Sequence, residues 1–117
     1  MHIERNRPRI SPTDFIDFNV SLKMGDFDLK GYLGNISENG LCAIIPYEGE
    51  RLAEVGLEST GIISSRRLAD NIDFKGRVAW ASSSPIRGKP HMLVGVEFKS
   101  ALSLPDEIIA ISLASEE

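Results

Sequence analysis

Scarcity is the first feature of this 117-residue chain: one cysteine, one tryptophan, two histidines, and more acid than base. The lone Cys42 excludes an internal disulfide and suits a reducing compartment. Between Leu41 and Ala43 in an apolar run it reads as a small buried hydrophobe rather than a nucleophile. His91 has no neighbouring cluster of metal ligands. No glycine-rich phosphate loop and no nucleophile with an evident base stand out, so neither a metal centre nor an enzyme is expected. No apolar run approaches the roughly 20 residues of a membrane-spanning helix, and residues 1–5 lack the apolar core of a signal peptide, so the expected location is the cytoplasm. Positive charge is both scarce and unevenly placed. Of the net −4, the first nine residues hold three arginines against one glutamate, a local +2 that leaves −6 for the rest. An acidic body repels a long phosphate backbone, which disfavours DNA or RNA as a partner, but a compact anion can still meet a local arginine cluster.

What is present is β pattern. Hydrophobic residues at 42% and charged residues at 26% suit one soluble domain with a single core. Phe18, Val20 and Leu22 alternate with polar neighbours, as a half-buried strand requires. Gly25-Asp26 is a turn, and Phe27, Leu29, Gly31 and Leu33 continue as a hairpin partner. The run Leu41-Cys42-Ala43-Ile44-Ile45 is a buried strand ending at Pro46. Residues 47–58 read as a loop and 59–65 as a strand around Gly61-Ile62-Ile63. Phe74, Gly76, Val78 and Trp80 share one strand face by alternation. Residues 82–89, with three serines, Pro85 and Gly88, read as a connection to a final strand over Met92, Val94, Val96 and Phe98. Short strands at close spacing predict a small barrel or sandwich. Pro105-Asp106-Glu107 has helix-start composition, and Leu104, Ile108 and Ile111 follow at helical spacing, predicting a short C-terminal helix. The division is an arm at 1–12, a β-barrel at 13–100 and a helical tail at 101–117.

Two stretches carry candidate chemistry. In Arg5-Asn6-Arg7-Pro8-Arg9, Pro8 fixes its own φ and pushes Arg7 toward extended geometry. The three arginines then fall at period two on one side, and four extended residues span at most about 13–14 Å. The stretch is either a solvated basic tail or a set of guanidiniums gripping opposite parts of a dinucleotide-sized anion. In Asn35-Ile36-Ser37-Glu38-Asn39-Gly40 a strand breaks into a polar turn. Asn39-Gly40 tolerates positive φ, while Asn35 and Ser37 present short hydrogen-bonding side chains on one side. They serve as turn formers only, or they also face a ligand.

With these stretches in this order, the chain resembles the PilZ domain family, whose pattern is R-x-x-x-R near the start followed by D/N-x-S-x-x-G at the end of the second strand. Gly76-Arg77-Val78-Ala79-Trp80 and Gly95-Val96-Glu97-Phe98 resemble the family's last two strands. The resemblance implies an all-β fold, a six-stranded antiparallel barrel with a flexible arginine arm and a short C-terminal helix. It implies binding of the bacterial second messenger cyclic di-GMP, with Arg5, Arg9, Asn35, Ser37 and Gly40 as ligand-binding residues. No cofactor beyond that ligand is expected, and a downstream effector protein is the expected partner. Arg7, from its spacing, and Trp80, similar to an aromatic that some members place near the ligand, are secondary candidates, and Trp80 reads equally as a core residue on an apolar strand face. The implied mechanism is a receptor or adaptor whose arm orders on binding, and the alternative is a ligand-independent interaction module of the same fold.

Overall fold

A computed structural model of the chain describes residues 15–25, 27–46 and 54–115. Among them are six strands: β1 (Asn19–Met24), β2 (Phe27–Ile36), β3 (Gly40–Pro46), β4 (Glu58–Ser64), β5 (Ile72–Ile86) and β6 (Lys89–Phe98), followed by one helix, α1 (Asp106–Ser115). All neighbours pair antiparallel in the order β1-β2-β3-β6-β5-β4, and β1 pairs with β4 to close a barrel. Closure removes the unpaired edges that an open sheet of this size would present. The expected all-β barrel with a C-terminal helix is therefore the observed fold.

Alternation explains the inner face. β1 buries Val20, Leu22 and Met24 and exposes the residues between them. Leu33, Leu41, Ala43, Ile45, Ile63, Phe74, Val78, Val94, Val96 and Phe98 complete the same core from the other strands. Phe15 and Phe18 meet edge to face, with centroids 5.6 Å apart, at the mouth where β1 begins. The same mouth holds the β2–β3 turn and the exit from β6: Leu33 N–H donates to Phe18 O, Phe98 N–H to Asn39 O and Leu102 N–H to Glu38 O. In α1, Asp106 and Glu107 occupy the first turn, where the helix dipole favours carboxylates, and Ile108 is fully buried in the core.

The alternation picture departs from the structure in two places. Residues 82–89 are a hairpin rather than a connection: β5 and β6 pair out to Ile86 and Lys89, leaving Arg87-Gly88 as a two-residue turn. Positive φ at both, 54° and 77°, is the type I′ geometry that matches strand twist. Pro85 pairs with Pro90, outside the part of the hairpin flanked by β3 or β4, so the missing N–H groups break no third-strand ladder. The second departure concerns Trp80. Of the loop expected at 47–58, residues 54–57 precede β4 without strand or helix, Glu58 already belongs to that strand, and 47–53 lie outside the described residues.

Candidate functional site

Two β-bulges set the site. In β2, Leu33 pairs with Ala43 and Asn35 with Cys42, so Gly34 is the extra residue. In β5, Val78 pairs with Val96 and Trp80 with Gly95, so Ala79 is the extra residue. An extra residue breaks period two and sends the next side chain to the other face. Uninterrupted alternation would place Asn35 with Leu33, and Trp80 with Val78, inside the barrel. The bulges instead turn both outward. Trp80 consequently leaves the face shared by Phe74, Gly76 and Val78, and Ala81 packs against the core in its place.

The registers place the outward residues in two parallel rows. Asn35, Cys42, Gly95 and Trp80 are successive partners across β2, β3, β6 and β5. One step along, Gly40, Glu97 and Arg77 are partners across β3, β6 and β5. Three strand spacings separate Asn35 from Trp80, about 14 Å. Between them lie Cys42, which is fully buried, and Gly95, which carries no side chain, with Gly40 one step along. The half-buried indole rests on Gly95, where a Cβ would run into the ring. Ser37, Asn39, Gly40, Trp80 and Glu97 line a cleft of about 270 Å³ here.

The turn holds itself together. Ser37 N–H donates to Gly40 O at 2.8 Å, Ser37 Oγ accepts from Asn39 N–H at 3.2 Å, and Asn35 Oδ1 accepts from Ile36 N–H at 2.8 Å. Both side chains thus shape the turn, leaving further acceptor capacity on each oxygen. Arg77 Nε lies 3.7 Å from Glu97 Oε1 with both side chains mostly exposed. Burial pushes the Cys42 thiol up to about 12 from an ordinary 9.0, with a backbone hydrogen bond at Val94 acting the other way. It is neutral at physiological pH and is no nucleophile.

The structure brings Asn35, Ser37, Gly40 and Trp80 to one outer face beside one mouth. Arg5, Arg7 and Arg9 lie outside the described residues. Arg77, Gly95 and Glu97 join the face without having been candidates. Their signal was present in the Gly95-Val96-Glu97-Phe98 stretch but was visible only once the strand register was known. A larger groove of about 860 Å³ crosses the β2–β1–β4–β5 face, with Lys23, Lys75 and Lys99 interspersed with Asp28 and Asp73 around an exposed Ile62. It is the bigger hollow but holds none of the motif residues. Among the described residues no group of three or more His, Cys, Asp or Glu could hold a metal ion, and no helix is long and apolar enough to cross a membrane.

A family model of the PilZ domain matches residues 4–114, nearly the whole chain. The chain belongs to the PilZ family. Among solved structures it is similar to the crystal structure of Borreliella burgdorferi PlzA in complex with c-di-GMP, with a TM-score of 0.54 and 15% sequence identity. That likeness covers 86% of this chain and 45% of PlzA, so this PilZ chain spans less than half of that protein. At such identity the likeness speaks for the fold. No curated protein matches the chain.

Proposed function

We propose that the chain is a cyclic di-GMP receptor of the PilZ family, closing an arginine arm and the outer shelf of its barrel over one ligand site. The observation that carries this reading is the row in which two bulges turn Asn35 and Trp80 outward on either side of Cys42 and Gly95, beside the Ser37–Gly40 turn. The family match includes both the arginine stretch and that turn, and PlzA was crystallised with c-di-GMP.

Each residue has a role the ligand's chemistry explains. Arg5 and Arg9 offer planar guanidinium forks, which pair bidentately with phosphodiester oxygens or with guanine O6 and N7. Arg7 can add a third. Asn35 and Ser37 hydrogen-bond the ligand, Gly40 lets it approach the backbone, and Trp80 gives a base a surface to stack on. At about 270 Å³ the cleft falls below the roughly 300–1,000 Å³ of small-molecule sites, so it accepts a part of the dinucleotide and needs a second wall. The arm can supply one. Phe15 sits at the mouth beside the turn, and the six residues back to Arg9 span up to about 20 Å.

On this reading the ligand bridges arm to barrel, and the bridged form is what a bacterial effector protein in the cytoplasm recognises. Ordering the arm offsets part of the contact energy. The chain then acts as receptor or adaptor, without catalysis or a metal. Calorimetry on the whole chain tests this against cyclic di-GMP, GMP and a single-stranded oligonucleotide at two salt concentrations. Saturable binding of cyclic di-GMP alone is expected. Arg5→Ala or Arg9→Ala should each weaken it by about tenfold or more, the cost of a lost charged hydrogen bond, with the melting temperature nearly unmoved. No heat from cyclic di-GMP would leave the alternative, a ligand-independent interaction module. Full affinity in both arginine variants would refute the arm's role.

A further inference from the structure

We propose that Glu97 reads the donor edge of the guanine seated on Trp80, and so makes the site prefer guanine over adenine dinucleotides. This inference rests on the cyclic di-GMP reading and assigns the base-selecting group within that same site.

Glu97 lies two residues from Gly95 on the outward face of β6, so its carboxylate rises beside the indole that rests on Gly95. Both line the same cleft. Its partner across β3 is Gly40, which carries no side chain and lines the same cleft. Its partner across β5 is Arg77, whose Nε at 3.7 Å is at the outer limit of an ion pair. Glu97 is 60% exposed, so its oxygens retain lone pairs for another donor.

A carboxylate is the wrong sign for phosphate. Facing a doubly anionic ligand, it is tolerated only where the ligand offers donors, and it offers two acceptors and no donor itself. The Watson–Crick edge of guanine presents N1–H and N2–H side by side, matching both carboxylate oxygens. Adenine presents a bare N1 acceptor at the same place and would meet repulsion. Enzymes that take a single base out of a helix read it in this way, by its Watson–Crick edge while an aromatic ring holds its face. The phosphates are thereby directed away from Glu97.

The test is calorimetry on the full chain with cyclic di-GMP, cyclic di-AMP and the inosine analogue, which keeps N1–H and lacks the N2 amine. The wild-type chain should prefer cyclic di-GMP to cyclic di-AMP by about 10- to 100-fold, with the inosine analogue between them, as one bidentate base contact warrants. In Glu97→Gln that preference should shrink by about tenfold, and cyclic di-AMP should bind better, because a glutamine amide can donate to adenine as well as accept from it. Arg77→Gln, which removes the ion pair and leaves the carboxylate, should keep the preference within about threefold. Undiminished guanine preference in Glu97→Gln, with cyclic di-GMP still bound, overturns the role of Glu97 alone. If the wild-type chain binds no cyclic dinucleotide, the receptor reading fails and this inference fails with it.

Discussion

Gly95 carries the indole of Trp80, and that contact gives the shelf its shape. A Cβ at this position enters the ring itself rather than the free end of a flexible side chain, so Gly95→Ala must displace the tryptophan or the strand. Because base stacking on an aromatic contributes about 1–3 kcal/mol, the variant should lose about tenfold in affinity for cyclic di-GMP in calorimetry. Its fold should survive, since Trp80 lies outside the core cluster. Affinity equal to wild type, with an altered tryptophan emission, would mean that the indole does not hold a base. Cys42, in the same row, obeys a different rule. Its folded pKa of about 12 lies above the ordinary 9.0, so burial of the neutral thiol stabilises the fold fully below pH 9. That contribution is lost as pH rises from 9 toward 12, because the unfolded chain releases the proton first. Chemical denaturation across that range should show a steeper decline in the wild-type chain than in Cys42→Ala. A thiol reagent at pH 8 should modify the native protein far more slowly than the unfolded one.

Strands are the scale at which the sequence was most and least legible. Alternation marked the inner face of β1, the apolar run of β3 and the last strand, because burial imposes period two on every barrel strand. It failed at Trp80, and carried past Leu33 it would also have misplaced Asn35, for one reason. A bulge costs a single residue, and in the sequence that residue resembles the next step of the same alternation: Gly34 after Leu33, Ala79 after Val78. Only the partner strand reveals that two residues face one. The motif residues Asn35, Ser37 and Gly40 were legible as types and spacing, while their alignment with Trp80 was a product of register. The β5–β6 hairpin was missed because Pro85 and three serines read as loop, and Arg-Gly is not a typical type I′ pair. Arg87 in fact adopts φ 54°, a left-handed conformation unfavourable for a long side chain by roughly 1 kcal/mol. Arg87→Asn should relieve it and raise the melting temperature by about 3–5 °C, given the usual scaling for a domain of this size. A lower melting temperature would mean that Arg87 contributes contacts outweighing its strain.

At the scale of the whole molecule, the closed barrel supplies rigidity and leaves recognition to its outer surface. The side chains of the core cluster point into the lumen, while the motif residues lie on the outside. The chain enters β1 and leaves β6 at the mouth where the β2–β3 turn lies, and this topology puts Phe15, the first described residue, at that mouth. Since Trp80 is the sole tryptophan, its fluorescence reports on this one surface. The direct measurement is therefore a titration of the intact chain with cyclic di-GMP, following tryptophan emission and calorimetric heat on the same sample. Binding at the shelf predicts that emission changes in proportion to heat, saturates at the same stoichiometry and, in Arg9→Ala, needs about tenfold or more ligand to reach the same change. Saturable heat with unchanged emission would contradict it, since the ligand would then be seated away from Trp80.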